Sequence, residues 1–310
     1  MKTVLITGGT GLLGTHLARC LLASGYRVII LTRKMPTRLL EPVEYAIWDP
    51  ENGRIDPQAI AASDAVINLS GANINGSRWT PEYKKQIRDS RVLGTRLLRE
   101  TLESTGNRCK TLVSASATGY YGAGGYFRET DPPAGDFLGQ TCREWEESIL
   151  PWAGPGRRLV ILRLGIVLSL EGGALRAMLP ASRLGIAAIP GMGTQWMSWI
   201  HLRDTVAAFQ AALEKPGMSG VYNVASPDPA RFEDLSIALA RHLTGKCWLR
   251  VRIPPWLIGA ALGEMGGELL KSCRVSPEKL SETGFHWQYP GLEEALGQLT
   301  QEFRGRSENP

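Results

Sequence analysis

The 310-residue sequence has no long uninterrupted hydrophobic run. A membrane-spanning helix needs roughly 18 or more consecutive apolar residues, and no stretch approaches that length. The apolar N-terminus is interrupted at once by Gly8, Gly9 and Gly11, unlike the hydrophobic region of a signal peptide. We therefore expect no membrane span, no secretion signal and a cytoplasmic protein.

The sequence is also poor in cysteine. The five cysteines are odd in number, widely scattered and without a CxxC pair; they are Cys20, Cys109, Cys142, Cys247 and Cys273. This spacing argues against a disulfide framework and against a zinc site. We expect no metal site.

The net charge of +5 is not concentrated in a basic tract. Several lysines and arginines lie on a helix predicted from about Pro81 to Ser104, but Glu82, Asp89 and Glu100 are interleaved with them. Mixed charges of this kind are typical of a solvated helix face. We therefore expect no nucleic-acid partner.

Short apolar runs, typical of strands buried on both faces of a parallel sheet, recur along the first 225 residues. They lie at 4–6, 28–31, 65–69, 111–113, 159–162 and 221–224. Segments with helical signals separate them, at about 13–21, 81–104 and 139–150. This repetition predicts an α/β fold, a Rossmann-type doubly wound parallel sheet with right-handed crossovers.

The composition of the sequence changes after Leu168, where glycine and proline become frequent. We assign the nucleotide-binding domain to 1–168 with a return segment at about 198–226. A smaller, mostly helical C-terminal substrate lobe is assigned to 169–197 and 227–302, and a flexible tail to 303–310.

The strongest motif is the glycine-rich segment Thr7–Gly14, which lies between the first strand and the first helix. Gly8 permits a tight turn, Gly11 allows the backbone to approach a pyrophosphate, and Gly14 allows close packing of the helix. The N–H groups at the helix N-terminus then face the phosphate charge. A glycine-rich turn without a ligand is the weaker alternative.

The residues after the second strand indicate which dinucleotide is bound. An NAD-selective protein places an acidic residue there, on the ribose 2′-hydroxyl, whereas this sequence has Thr32, Arg33 and Lys34. Two cations suit a 2′-phosphate and therefore NADP(H). The alternative is that both are ordinary solvated loop charges.

These residues resemble the extended short-chain dehydrogenase/reductase superfamily, whose TGxxGxxG pattern is matched at Thr7–Gly14. Within it, the sequence resembles an atypical group of epimerase-like proteins, through the segments 114–122, 142–146, 195–201 and 289–296. The resemblance implies a C-terminal substrate-side lobe, and Val167 near the nicotinamide. Together, loop pattern and resemblance give the predicted cofactor-binding residues Gly8, Thr10, Gly11, Leu12, Leu13, Gly14, Thr32, Arg33, Lys34, Leu69, Ser70, Gly71, Arg91 and Val167.

The superfamily's usual catalytic pair, a Tyr followed four residues later by a Lys, is absent. The segment 137–142, where the pair should fall, offers neither a phenol nor an ammonium group. Ser116 and Tyr120 are the remaining candidates for handling substrate oxygen and proton. A locally satisfied hydroxyl and a packing role are their alternatives.

Two further side chains are expected to be structural. His201 is predicted to be a hydrogen-bonding residue and Cys142 a small packing residue. Trp196, Met197 and Trp199 are predicted to line an apolar substrate pocket.

Two functions follow as hypotheses, beside a weaker third, nucleotide-sugar epimerisation, for which positions 172–201 show no uridine-diphosphate pattern. One is an NADP(H)-binding oxidoreductase or epimerase-like enzyme for an unknown small carbonyl or hydroxyl compound. The other is a non-catalytic NADP(H)-binding sensor or partner-binding module. Analogy also allows a homodimer through the helices at 81–104 and 139–150.

Overall fold

Strands and helices alternate along the chain in the computed structural model, which describes residues 1–308. The strands are β1 (Thr3–Thr7), β2 (Arg27–Thr32), β3 (Glu44–Asp49), β4 (Arg54–Ile55), β5 (Ala65–Asn68), β6 (Thr111–Ala117), β7 (Tyr126–Phe127), β8 (Arg158–Leu164), β9 (Ile166–Leu168), β10 (Ile186–Pro190), β11 (Trp196–Met197), β12 (Trp199–His201), β13 (Gly220–Val224), β14 (Ala230–Arg231), β15 (Leu249–Ile253) and β16 (Arg274–Val275). The helices are α1 (Leu12–Ala23), α2 (Pro57–Ala61), α3 (Pro81–Ser104), α4 (Phe137–Ile149), α5 (Gly173–Ser182), α6 (Leu202–Glu214), α7 (Phe232–Thr244), α8 (Pro255–Leu262), α9 (Met265–Leu270), α10 (Glu278–Glu282) and α11 (Leu292–Glu308).

The central eight-stranded sheet has the order β13-β8-β6-β5-β1-β2-β3-β4. Its pairs are parallel apart from the antiparallel pair of β3 with β4. The chain winds outward from β1 in one direction and from β5 in the other, so the strand order reverses between these two strands. Ligands of such sheets bind at the carboxyl ends beside the reversal. The predicted Rossmann-type α/β fold is confirmed.

Helices cover both faces of the sheet, because its strand residues alternate between two apolar cores. Val4 and Ile6 point into a core shared with α1 and α6, where Phe209 is fully buried. Leu5 points into the opposite core, shared with α3 and α4, where Leu98 is fully buried. Burial on both faces explains why these strands are continuously apolar in sequence.

The C-terminal lobe has its own apolar core, formed mainly by α5, α7 and α11. Two strands of this lobe, β10 and β15, form a small parallel pair. Leu280 and Phe285 fall within the stretch assigned to the lobe but pack in a core of the central sheet.

The last helix, α11, runs through positions that sequence analysis assigns to a flexible tail. Phe303 packs against the core of the lobe, which explains why the helix continues there. Positions 309–310 of the predicted tail lie outside the described residues. Within residues 1–308, no helix has the length and hydropathy that crossing a membrane requires.

Candidate functional site

The loop between β1 and α1 lies at the carboxyl edge of the sheet. Gly8 has φ of +67°, and a Cβ built there would lie 2.8 Å from the carbonyl oxygen of Leu69. A Cβ on Gly14 would lie 2.4 Å from the carbonyl oxygen of Gly8, so both positions require glycine. Gly11 precedes α1, and no side chain caps this helix. Its first N–H groups therefore remain available to an anionic ligand. The other predicted loop residues are exposed or half-buried: Thr10, Leu12 and Leu13.

Buried hydrogen bonds hold the segment after β5 against this loop. Thr7 Oγ1 donates to Asn68 Oδ1 over 2.7 Å and accepts the N–H groups of Leu69 and Ser70. Ser70 Oγ also donates to Asn68 Oδ1, over 3.0 Å. The predicted cofactor residues Leu69 and Ser70 therefore lie directly beside Gly8.

Two cations follow β2, the neighbour of β1. Thr32 is buried, and its hydroxyl donates to the carbonyl oxygen of Lys34 over 2.7 Å, which shapes the turn. Arg33 and Lys34 are exposed, and neither forms an ion pair with another residue of the described chain. Both side chains are therefore available to a negatively charged ligand at this edge.

Arg91 reaches the same edge from α3. A Cβ built on Gly71 would lie 2.9 Å from its guanidinium carbon, and that carbon lies 5.3 Å from the ring centroid of Trp145. One N–H group donates to the carbonyl oxygen of Ile87 over 2.9 Å. Burial lowers the pKa of Arg91, and no acidic residue of the described chain pairs with it. Arg91 is thus a largely buried cation without a counter-anion.

Ser116 lies at the end of β6 in a buried polar network. Its hydroxyl donates to Glu146 Oε1 over 2.6 Å, and Arg163 binds both oxygens of that carboxylate over 2.8 and 2.7 Å. Both charged side chains are almost fully buried. Sequence analysis missed this ion pair, although an arginine inside the apolar run of β8 signals it.

Tyr120 and Tyr121 lie against the same ion pair. The guanidinium carbon of Arg163 lies 3.5 Å from the ring centroid of Tyr120. Burial raises the pKa of Tyr120, although the charge of Arg163 opposes the shift. Tyr121 is fully buried, accepts a hydrogen bond from Arg163 and donates one to Asn223 Oδ1 over 2.7 Å. The structure therefore brings Ser116 and Tyr120 together around one arginine.

Comparison with known proteins supplies the family. The model of the NAD dependent epimerase/dehydratase family matches residues 4–225, and a domain of unknown function, DUF1731, matches residues 253–299. The chain belongs to the NAD dependent epimerase/dehydratase family. It is 37% identical to an epimerase family protein of Mycobacterium bovis over 300 residues, which cover 96% of this chain and 97% of that protein. It is 34% identical to the chloroplastic SDR39U1 homolog of Arabidopsis thaliana, over 96% of this chain and 87% of that protein.

A solved structure extends this likeness to three dimensions. The human epimerase family protein SDR39U1 (isoform 2), solved with NADPH, matches with a TM-score of 0.86 and 28% identity. The match covers 96% of this chain and 99% of the human chain. The epimerase/dehydratase fold at this edge of the sheet is thus an NAD(P)-binding fold.

The segment 137–142, where the absent Tyr and Lys are expected, presents apolar groups to the turn after β6. A Cβ built on Gly119, in the turn after β6, would lie 3.4 Å from the Leu138 side chain and 3.9 Å from Cys142 Sγ. Both residues belong to α4, which in this epimerase/dehydratase protein faces the turn that holds Tyr120. Burial raises the pKa of the Cys142 thiol to about 12. Cys142 is therefore a neutral packing residue, as predicted, and not a nucleophile.

His201 has a structural role in this epimerase/dehydratase protein. It precedes α6, and its Nδ1 accepts the N–H group of Arg203 over 3.1 Å, while Nε2 lies 2.8 Å from Gln298 Oε1. Burial lowers its pKa to about 4, so the ring is neutral near pH 7. The prediction of a structural hydrogen-bonding residue is confirmed.

The prediction that Trp196, Met197 and Trp199 line an apolar substrate pocket is wrong for Met197 and Trp199. Trp199 is fully buried and Met197 nearly so, and both pack in the core of the C-terminal lobe. Met197 points inward because it follows the half-exposed Trp196 on β11, and Trp199 belongs to β12, of which every residue is buried. Only Trp196 stays accessible to a ligand.

Proposed function

We propose that this protein is an NADP(H)-dependent oxidoreductase or epimerase-like enzyme acting on a small carbonyl or hydroxyl compound. The observation that carries the proposal is the exposed pair Arg33 and Lys34, which follows β2 without acidic partners in the described chain. An acidic residue at this place would repel a 2′-phosphate, whereas two cations attract it. NADPH in the human SDR39U1 structure supports the same assignment.

The neighbouring loop fits the remainder of a dinucleotide. Gly8 and Gly14 leave no room for a Cβ, and the uncapped start of α1 offers free N–H groups to a pyrophosphate. Leu69 and Ser70 border the loop, while Arg91 and Val167 are proposed to contact the nicotinamide half. When bound, the nicotinamide would supply or accept a hydride.

Tyr120 is our candidate for the group that hydrogen-bonds the substrate oxygen. Because burial raises the pKa of its phenol, Tyr120 stays protonated at neutral pH. A protonated phenol donates to a carbonyl oxygen but is the wrong form for a general base. Ser116 donates its hydrogen bond to Glu146, so its oxygen can only accept a hydrogen bond, from a substrate hydroxyl. The role of Tyr120 suits carbonyl reduction better than alcohol oxidation.

Titration calorimetry with NADPH and with NADH tests the cofactor. We expect wild-type protein, freed of carried-over nucleotide, to prefer NADPH, and an Arg33→Ala, Lys34→Ala double variant to lose that preference while still binding NADH. Arg38→Ala, an exposed cation of the same loop, is the matched control and should retain it. Equal affinity for both nucleotides in wild-type protein would refute the NADP assignment.

The second candidate function is a non-catalytic NADP(H)-binding sensor. Leu138 and Cys142 favour it, because they present apolar groups to the turn of Tyr120 from the segment where the missing catalytic pair is expected. Incubating NADPH and purified protein with a panel of aldehydes and ketones separates the two functions. Oxidation of NADPH that is lost in Tyr120→Phe supports the enzyme, whereas tight binding with no oxidation above background supports the sensor.

The compartment is also part of the proposal. All five cysteines are free. Free thiols suit a reducing compartment, which supports the cytoplasm.

A further inference from the structure

Four short strands at the border of the two lobes form a ribbon outside the central sheet. β14 pairs with β11, a bridge joins Met197 of β11 to Cys273, and β16 pairs with β7. Cys273 packs with Tyr120 in one apolar cluster. β11 leads into β12, where Ile200 pairs with Val167. The ribbon therefore borders residues assigned to both the substrate and the cofactor.

One face of this ribbon carries alternating cations and aromatic rings. In the register, Arg231 is opposite Trp196, and Arg274 is opposite Tyr126. Cross-strand partners share a face, and the residues next to them along the strands point the other way. Those neighbours are buried or half-buried: Ala230, Met197, Cys273, Val275 and Phe127. We call the outward set Arg231, Trp196, Arg274 and Tyr126 the arginine–aromatic ladder.

Contacts within the ladder involve ring faces and leave the charges uncompensated. The guanidinium carbons of Arg231 and Arg274 lie 5.0 and 5.2 Å from the ring centroid of Trp196, and that of Arg274 lies 5.9 Å from that of Tyr126. Neither arginine forms an ion pair or donates a side-chain hydrogen bond within residues 1–308. A guanidinium stacked on a ring keeps its N–H edges free for a bidentate anion.

We propose that the ladder binds an anionic group, a phosphate or a carboxylate, of a small molecule that lies on this outward face. Charge complementarity carries this choice, since two unpaired guanidinium groups flank one indole ring. The proposal is independent of the proposed function, because the ladder faces away from the cluster that holds Tyr120.

The test uses NADPH-saturated protein, so that a probe cannot bind the glycine-rich loop. Inorganic pyrophosphate and isophthalate, a planar dicarboxylate, are titrated separately by calorimetry at low salt. We expect at least one to bind, more weakly as NaCl is raised. Arg231→Gln and Arg274→Gln should each weaken binding about tenfold or more. Stronger binding of one probe identifies the anion as phosphate or carboxylate.

Arg250→Gln is the control, because Arg250 is an exposed arginine of β15 outside the ladder. It should bind the probes like wild-type protein, and all three variants should keep the wild-type melting temperature within a few degrees. The proposal is overturned if neither probe binds at millimolar concentration, or if the two ladder variants bind like the control.

The two proposals fail separately. NADPH binding without anion binding overturns the ladder alone. If NADPH does not bind, the same titrations are run without it, and anion binding that the ladder variants lose overturns the proposed function alone.

Discussion

Arg91 gives the sharpest prediction, because the chain buries its charge without compensating it. The guanidinium lies between Gly71 and Trp145 and has no acidic partner in the described chain. An Arg91→Met substitution retains an apolar stem of similar reach and removes the charge. It should stabilise the cofactor-free protein and weaken NADPH binding at the same time.

The magnitude follows from three terms. The substitution loses the hydrogen bond to Ile87 and the stacking on Trp145, together about 1–2 kcal/mol. It also removes the penalty of burying an unpaired ion, which is several kcal/mol. We expect a net stabilisation of about 1–3 kcal/mol, and a melting temperature higher by roughly 2–5 °C.

Differential scanning calorimetry of nucleotide-free protein measures the stability, and titration calorimetry measures NADPH affinity, which should fall about tenfold or more. Arg96→Met is the control, since Arg96 is exposed on the same helix, and it should change neither quantity. A lower melting temperature with unchanged NADPH affinity would show that Arg91 is structural, and would refute this reasoning.

Three further perturbations test the rest of the site. Glu146→Gln leaves Arg163 buried without its counter-charge, so urea denaturation should show a loss of about 3–5 kcal/mol. Gly14→Ala places a Cβ 2.4 Å from a backbone oxygen, so it should lower the melting temperature and abolish NADPH binding. Burial lowers the pKa of His201 to about 4 from 6.5. The unfolded chain therefore binds the proton first as pH falls. Stability is fully present above about pH 6.5 and is lost progressively down to about pH 4, by about 3 kcal/mol in urea denaturation.

Matched variants control these three measurements. Glu147→Gln affects a half-exposed carboxylate and should cost little. Gly106→Ala meets open space and should be neutral. His201→Asn should flatten the dependence of stability on pH, because it removes the titrating group and keeps a helix-capping side chain. Wild-type stability in Glu146→Gln, NADPH binding by Gly14→Ala, or an unchanged pH slope in His201→Asn would each contradict the corresponding assignment.

The parts of the fold that depend on local signals could be predicted from the sequence. The bounds of α3 are confirmed, because Thr80 caps the helix and Pro81 occupies its first turn. The strands buried on both faces are confirmed as well, since their apolar runs are continuous. β3 was not predicted although positions 45–48 are apolar, and its burial is partial because Ala46 and Trp48 are buried while Ile47 is exposed.

The parts of the site that depend on contacts distant in sequence could not be predicted. Ser116 and Glu146 are 30 residues apart, and the ladder is assembled from four separate strands. The residue types at both places are unremarkable in sequence, and only the fold brings them together. The lack of a partner for Arg91 is also a property of three-dimensional packing, which no motif records.

The two arginines at this edge of the sheet, Arg163 and Arg91, differ in whether a carboxylate of the described chain neutralises their charge. Arg163 is neutralised by Glu146 and bound to Tyr121, so every contact is already made before a ligand arrives. Such a network is fully hydrogen-bonded without a ligand and holds Tyr120 in one orientation.

Arg91 has one hydrogen bond and no counter-anion, so the desolvation penalty of burying its charge is offset only when a ligand supplies oxygen atoms. The chain thus concentrates uncompensated charge where the cofactor is proposed to bind, at Arg33, Lys34 and Arg91. The polar side chains around Ser116 and Tyr120, where the substrate oxygen is proposed to bind, are by contrast hydrogen-bonded to one another. The absence of the Tyr–Lys pair therefore leaves the proposed cofactor contacts in place. It makes Tyr120, held on a paired arginine, the residue whose removal decides between an enzyme and a sensor.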